Sequence, residues 1–256
     1  MPAPARPDPP STRGPYPGAP GPAEVAALAR AAGGSGILFA VLAVAALVLV
    51  RQGPALDDPD SAYEAFFSSG QASLLVALGL YVVPFAGIAF LWHLVATRTY
   101  LQVLAPRSWA RIPHWLHLAS GVIFVCLLFT GTATAGGAAL LTRFSSAPPP
   151  PPDVVRTLMT VGFTMVFVYG VRAAGMFMIT TTTGLGRELP RPLAVVSYLA
   201  ATFLLVSTTF HPAVLLVFPG WVLVLSVLLL VRRPRRVDGP TKEDTDDEHR
   251  RAREPG

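Results

Sequence analysis

Long apolar runs separated by short polar segments fill the chain between residues 34 and 231. Within each run the apolar residues form no periodic stripe, which is typical of helices with apolar surroundings on every side. A helix needs about 20 apolar residues to cross the hydrocarbon layer of a bilayer. The runs that suit a crossing helix cover residues 34–50, 72–97, 116–141, 157–180, 192–210 and 213–231. The pattern therefore predicts an all-α, polytopic membrane bundle of six transmembrane helices.

The segments before and after the six runs differ from them in composition. Residues 1–30 are rich in Pro, Ala and Gly, and residues 234–256 are rich in charges of both signs. Neither segment has enough apolar surface for a packed core, so both are expected to be disordered tails. Within the first of them, "AEVAALARAAGG" favours a short helix that leads into the first run. Residues 31–233 form the predicted transmembrane domain.

The arginines orient the predicted helices. They are concentrated on the side that holds both termini, and the positive-inside rule places that side in the cytoplasm. These arginines are Arg13, Arg30, Arg98, Arg107, Arg111, Arg187, Arg191, Arg232, Arg233, Arg235 and Arg236, whereas the opposite side has Arg51, Arg143 and Arg156. The chain is thus predicted to be a multi-pass protein of the bacterial cytoplasmic membrane with both termini in the cytoplasm. Because the arginines lie beside apolar runs, the net charge of +5 does not indicate a nucleic-acid partner.

Two of the connections between the runs carry local structural signals. In the first outer loop, Ser61 and Glu64 have the spacing of a capping box, which predicts a short interfacial helix. The last two runs are joined by "HPA", in which Pro212 ends one helix and permits the next to begin. These two helices are therefore expected to be antiparallel neighbours.

Small residues on the third and fourth runs predict close contacts between helices. Gly131, Gly136 and Gly137 lie on the third run, and Gly170 and Gly175 lie on the fourth. Residues without bulky side chains let helix backbones approach each other in a membrane. We interpret these glycines as packing surfaces.

Arg172 lies inside the fourth run, in "VYGVRAAGMFMITTTTG". It is nine residues before Thr181, so it is expected about 13 Å below the cytoplasmic end of its helix. A charge at the centre of a span costs roughly 2.5–3.5 kcal/mol. None of the 15 acidic residues lies in a predicted span, so the partner of Arg172 is not an intramembrane carboxylate. The remaining candidate partners of Arg172 are backbone carbonyls, neutral polar side chains, water, a lipid phosphate and an anionic ligand.

Neutral polar side chains complete a candidate binding site for an anion or a lipid headgroup around Arg172. Tyr169, three residues earlier, shares its helix face. The others, in the cytoplasmic half of different runs, are His93, Ser120, Ser197, Tyr198 and Ser226. Three interpretations of Arg172 stay open at this point. In the first it is a structural residue that extends toward headgroups, in the second it binds an anion or lipid headgroup, and in the third it lines a transport pathway.

No motif in the chain predicts catalysis, a metal ion or a cofactor. The sequence has no GxSxG, no HExxH and no phosphate-binding glycine loop. His114 and His117 have a spacing seen in metal sites, but no Cys, Asp or Glu nearby completes a ligand set. We therefore expect a protein that is not an enzyme and that binds neither metal nor cofactor.

Three stretches, "PFAGIAFLWHL", "RAAGMFMITTTT" and "LVFPGWVLVLSVLLLV", resemble an uncharacterised actinobacterial family of six-helix, multi-pass membrane proteins of unknown function. The resemblance covers about residues 35 to 232. An Arg opens the family's fourth-span motif, R-x-x-x-x-F-M-I-[ST]-T, which is matched here by Arg172, Phe177, Met178, Ile179, Thr180 and Thr181. Gly220 departs from the bulky residue usual before Trp221, so packing there is expected to differ. The resemblance implies the six-helix architecture and singles out Arg172, and it implies no activity.

The expected function is that of a membrane scaffold or partner component. Such a protein contacts the bilayer and anionic lipids at its cytoplasmic face, and it binds lipid headgroups or another membrane protein. The alternative is a small transporter or an accessory subunit of one, in which Arg172 attracts an anion into a cytoplasmic vestibule.

Overall fold

The computed structural model describes residues 22–104, 111–146, 148–207, 211 and 213–231, and all regular structure within them is helical. Two π-helical segments, Leu78–Val82 and Thr164–Gly170, are continuous with the α-helices before and after them. The helices are α1 (Pro22–Val50), α2 (Asp60–Ser68), α3 (Ala72–Ala77), α4 (Val83–Leu104), α5 (Arg111–Ala135), α6 (Gly137–Phe144), α7 (Pro152–Phe163), α8 (Val171–Leu185), α9 (Arg191–Val206) and α10 (Ala213–Val231). The predicted all-α class is confirmed.

Four helical stretches in the described part of the chain are long and apolar enough to cross a membrane, which is typical of an integral membrane protein. They are Ala23–Val50, Trp115–Ala135, Pro152–Leu185 and Ala213–Val231. The continuous helix from α3 through α4 is not among them, and α9 is apolar but shorter. The count of six spans therefore stays a prediction.

The helices form one bundle around a shared apolar core. α1 packs on α4 and α10, α5 lies between α4 and α8, and α9 packs mainly on α8. Contacts of α10 with α8 and α9 close the ring. We call the end of the bundle where α1 begins and α10 ends the termini side, and the opposite end, where α2 and α7 begin, the Arg156 side.

Two helix starts differ from the prediction. α1 begins at Pro22, so residues 22–30 are helical and not part of a disordered tail. This stretch is rich in Ala, and Glu24 lies in the first turn, where a negative charge stabilises a helix. The predicted interfacial helix is present as α2, but it starts at Asp60 and makes no side-chain cap hydrogen bond, so the capping box is not formed. The rest of both predicted tails lies outside the described residues.

The hairpin of α9 and α10 is shorter than predicted. α9 ends at Val206, and Ser207 has an extended backbone, whereas the apolar run predicted helix to residue 210. Hydroxyl side chains compete for backbone hydrogen bonds and disfavour helix continuation, which explains an end at Ser207. Residues 208–210 and Pro212 lie outside the described part.

Candidate functional site

Five phenylalanines from five helices meet in the centre of the bundle. Contacting rings have centroids 4.9 to 6.2 Å apart, mostly in tilted or edge-to-face pairs. The members of this phenylalanine layer are Phe39, Phe90, Phe124, Phe177 and Phe218, and all are buried. Sequence reasoning missed the layer, because Phe is common in apolar runs and no single Phe stands out. The layer divides the interior into two halves.

On the termini side of the layer, His93 and Ser226 are fully buried and lie against α1. His93 Nδ1 is 2.8 Å from the Ala32 carbonyl oxygen, so this nitrogen carries the proton and donates. Gly36 makes the contact with α1 possible, because a Cβ there would overlap the Ser226 hydroxyl and lie 2.7 Å from His93 Nδ1. His93 Nε2 and the Ser226 hydroxyl have no hydrogen-bond partner among the described residues.

His117 occupies the same half between α5 and α8. Its Nδ1 lies 3.4 Å from the Thr180 hydroxyl and 3.3 Å from the Thr181 hydroxyl. Both hydroxyls also donate to the Phe177 carbonyl, so each oxygen can accept a hydrogen bond from His117 Nδ1. Ser120, one turn along α5, donates to the His117 carbonyl. Here a histidine outside the predicted anion site connects two helices.

The two predicted residues of α9 bind neighbouring helices. The Trp221 indole donates to the Ser197 hydroxyl over 2.8 Å, and both side chains are buried. The Tyr198 hydroxyl is 2.9 Å from the Thr183 hydroxyl on the exposed surface of the α8–α9 contact. His93, Ser120, Ser197 and Ser226 therefore lie together on the termini side of the phenylalanine layer. His93, Ser120 and Ser197 are hydrogen-bonded to backbone carbonyls, whereas the Ser226 hydroxyl has no partner among the described residues.

Arg172 lies on the other side of the phenylalanine layer. It is half-buried, and it precedes Phe177 by five residues, which corresponds to about 8 Å along α8 toward the Arg156 side. Its Nε donates to the Leu205 carbonyl over 3.2 Å and its Nη1 to the Val168 carbonyl over 3.1 Å. Leu205 is in the last turn of α9, where carbonyls lack partners and the helix dipole is negative. Arg172 thus caps α9.

The Arg172 side chain points toward the Arg156 side of the bundle, where its two acceptors, the Leu205 and Val168 carbonyls, lie. Side chains in a helix point toward its N-terminus, and α8 begins on the Arg156 side. The free carbonyls of α9 lie on that side as well. Tyr169, although on the same helix, is 56% exposed and makes no hydrogen bond with Arg172. The structure therefore does not bring Arg172 and Tyr169 together with His93, Ser120, Ser197, Tyr198 and Ser226.

A cavity of about 130 Å³ lies between the phenylalanine layer and the Arg156 side. Phe39, Phe124 and Phe218 form its floor, and Thr132 is the one polar side chain in its lining. The sequence carried no signal for this cavity, because its walls come from five helices whose residues are individually ordinary.

Arg156 organises a second polar cluster, at the start of the fourth run. It donates to the Leu56 and Asp58 carbonyls at 3.1 and 3.0 Å and pairs with Asp60 at 2.9 Å and Asp153 at 3.0 Å. Its guanidinium also lies 4.9 Å from the centre of the Tyr63 ring. Arg156 thereby ties the segment between α1 and α2 to α7.

The Tyr63 hydroxyl donates to the Ala55 carbonyl over 2.8 Å within this cluster. Burial raises the pKa of Tyr63 above its ordinary value of 10.0, while the nearby Arg156 opposes the shift. The neutral phenol therefore stabilises the fold fully below pH 10, and this contribution is lost as the pH rises through the raised pKa.

Within the described residues, no group of three or more His, Cys, Asp or Glu side chains could hold a metal ion. Comparison of the chain with protein-family models, with curated proteins and with solved structures finds no match.

Proposed function

We propose that the chain crosses the bacterial cytoplasmic membrane six times, with both termini in the cytoplasm, and acts as a non-enzymatic membrane component that binds a lipid headgroup through Arg172. The observation that carries the proposal is that part of the Arg172 guanidinium has no hydrogen-bond acceptor among the described residues. A guanidinium has five N–H donors. Nε and Nη1 are engaged, whereas Nη2 makes no hydrogen bond with the described residues.

Six crossings are supported by two helical stretches besides the four that are long and apolar enough to cross a membrane. Residues 72–104 are helical throughout, with Arg98 near the termini side and only neutral residues before it. α9 starts beside Arg191 and runs antiparallel to α8, since Arg172 meets Leu205 and Thr183 meets Tyr198. At the end of α9, Arg172 caps the Leu205 carbonyl and the Ser207 amide donates to the Phe203 carbonyl, which lowers the cost of ending the helix inside the membrane.

The surroundings of Arg172 favour an anionic partner. A guanidinium at hydrocarbon depth lacks water, and its planar set of paired N–H donors suits oxyanions such as phosphate, which accept two parallel hydrogen bonds. No acidic side chain of the described residues lies within ion-pairing distance of Arg172. With the proposed topology, the guanidinium faces the outer leaflet, so the headgroup comes from that leaflet. The expected contact of anionic lipids at the cytoplasmic face rests on arginines after residue 231, outside the described part, and stays a prediction.

The transporter alternative has less support. A cytoplasmic vestibule at Arg172 needs a polar path from the termini side, and the phenylalanine layer lies between them. Gly175, one turn from Arg172, is buried against α9, because a Cβ there would lie 2.9 Å from the Ala201 carbonyl oxygen. The α8–α9 contact is therefore closed at the depth where a vestibule would have to pass.

Thermal unfolding with added lipid tests headgroup binding. The purified protein is heated with micelles that contain either an anionic or a zwitterionic phospholipid with the same acyl chains. We expect the anionic lipid to raise the unfolding temperature of the wild type and of Arg143→Gln, an exposed arginine of the same side, but not that of Arg172→Gln. Because only the lipid-dependent difference is compared, lost capping of α9 does not mimic the result. An equal shift in all three proteins would refute the proposal.

Labelling in intact cells tests the topology. In a Cys126→Ser background, Glu64→Cys should react with a membrane-impermeant thiol reagent from outside the cell. Glu188→Cys should react only after the cells are opened. The reverse pattern would contradict the orientation, and labelling of both from outside would contradict the number of crossings.

A further inference from the structure

We infer that the cavity above the phenylalanine layer is a binding site for the hydrocarbon chain of a membrane lipid, an inference that rests on the proposed membrane location. The cavity is lined by α1, the helix around Leu78, α5, the helix around Val166, and α10. Apart from the Thr132 hydroxyl, its side chains are apolar. An apolar cavity of this size remains dry and takes apolar guests.

The cavity is a consequence of the short hairpin. α10 begins five residues before Phe218, or about 8 Å from the phenylalanine layer, whereas α1 continues for eleven residues, about 16 Å, beyond Phe39. α10 lies between α1 and α8 in the ring of helices. Beyond the start of α10, no helix of the described residues continues into the seam between α1 and α8. Val214 and Leu215, at the start of α10, form the lower edge of this gap.

Small side chains deepen the gap on its inner wall. Ala43, Ala86, Ala135 and Ala174, from four different helical stretches, all face the cavity. Each of these side chains is a single methyl group, so none of them extends far into the space. The cavity therefore has two causes, the start of α10 close to the phenylalanine layer and the short side chains on the inner wall.

The position of the cavity in the bilayer and its volume indicate which chemical group it binds. At this depth in a bilayer the groups that reach the gap are the acyl chains of the adjacent leaflet, because water is excluded and the cavity offers one hydroxyl. A cavity of about 130 Å³ is close to the 150 Å³ that accepts benzene in a protein core, so it holds the end of one chain and not a whole lipid. Arg172 follows Val171, a lining residue, and stands at the α8 edge of the gap.

Photolabelling tests the inference on the full-length protein. The protein is reconstituted into phosphatidylcholine vesicles that contain a small fraction of a phosphatidylcholine with a diazirine near the end of one acyl chain. After illumination, labelled peptides are mapped by mass spectrometry. We expect insertion into the cavity lining, including Thr132 and Ala135, as well as into exposed lipid-facing residues such as Val195.

A matched pair of variants separates the cavity from the outer surface. Ala46 lines the cavity and its neighbour Ala45 does not. Ala46→Phe should reduce labelling of Thr132 and Ala135 severalfold and leave Val195 unchanged, whereas Ala45→Phe should change neither.

The outcomes distinguish the two proposals. Labelling of Val195 with no labelling of the cavity lining in the wild type would overturn the chain site and leave the membrane location intact. This wild-type map decides the question even if Ala46→Phe fails to fold. Absence of label from every apolar surface would overturn the membrane location and the chain site together.

Discussion

At the crossing of α5 and α7 the two helix backbones approach closely, which makes this contact a test of the packing. Gly131 and Gly162 face each other there. A Cβ on Gly162 would overlap the Gly131 carbonyl oxygen and lie 2.7 Å from both the Cβ and the amide nitrogen of Ala135. A Cβ on Gly131 would lie 2.8 Å from the Gly162 carbonyl oxygen. Because backbone atoms stand on both sides, the contact is relieved only when the two helices separate.

Gly162→Ala should therefore destabilise the protein although Ala is the better helix former. Overpacking of a core typically costs about 1–3 kcal/mol. The higher helix propensity of Ala offsets about 1 kcal/mol of this cost. A net loss on the order of 1 kcal/mol corresponds to a decrease of about 2–4 °C in the unfolding temperature for a chain of this size. Thermal unfolding in a mild detergent measures the change.

Gly220→Ala is the matched control for this prediction. Gly220 also lies within a helix, but a Cβ there would meet nothing within 4 Å. The substitution should leave the unfolding temperature unchanged or raise it, because only helix propensity changes. If Gly162→Ala behaved like Gly220→Ala, the close approach of α5 and α7 would be wrong.

Three further substitutions test contacts that tie the helices together. Arg156→Gln should speed proteolysis of the segment between α1 and α2, whose carbonyls Arg156 holds, whereas Arg143→Gln should not. Because burial raises the pKa of Tyr63 above 10.0, the wild type should lose more thermal stability above pH 10 than Tyr63→Phe does. Trp221→Phe should lower the free energy of unfolding by about 0.5–1.5 kcal/mol, and its effect should not add fully to that of Ser197→Ala. Equal proteolysis of Arg156→Gln and Arg143→Gln would contradict the Arg156 contacts. Parallel pH curves of the wild type and Tyr63→Phe would contradict the burial of the Tyr63 hydroxyl, and full additivity of Trp221→Phe and Ser197→Ala would contradict their hydrogen bond.

The apolar runs predicted most of the helices, because a long uninterrupted run leaves little choice but a helix. They could not predict where α9 ends, since Arg172 caps the Leu205 carbonyl from another helix and no local pattern encodes that contact. The glycines of the third run did identify a packing surface, and Gly131 forms a close contact. Its partner Gly162 was missed because a single glycine in an apolar run is common. Gly220 has open surroundings, and the difference in packing that the resemblance implies there stays a prediction.

The candidate site was predicted less well, because its parts are joined across large separations in the chain. Arg172 was singled out by the cost of a charge in a span, but the identity of its partner, the Leu205 carbonyl, depends on how α8 and α9 pack. Arg156 was assigned to an outer segment and given no role. Its contacts with Leu56 and Asp60 span nearly one hundred residues, and no local pattern encodes them.

Native mass spectrometry of the protein released from its detergent micelle tests the central claim most directly, that Arg172 binds an anionic headgroup. The wild type is compared with Arg172→Gln and with Arg143→Gln, each purified from the same membranes. We predict that one anionic phospholipid stays bound to the wild type and to Arg143→Gln and is lost from Arg172→Gln. Identical lipid retention by all three proteins would contradict the claim and would limit Arg172 to capping α9.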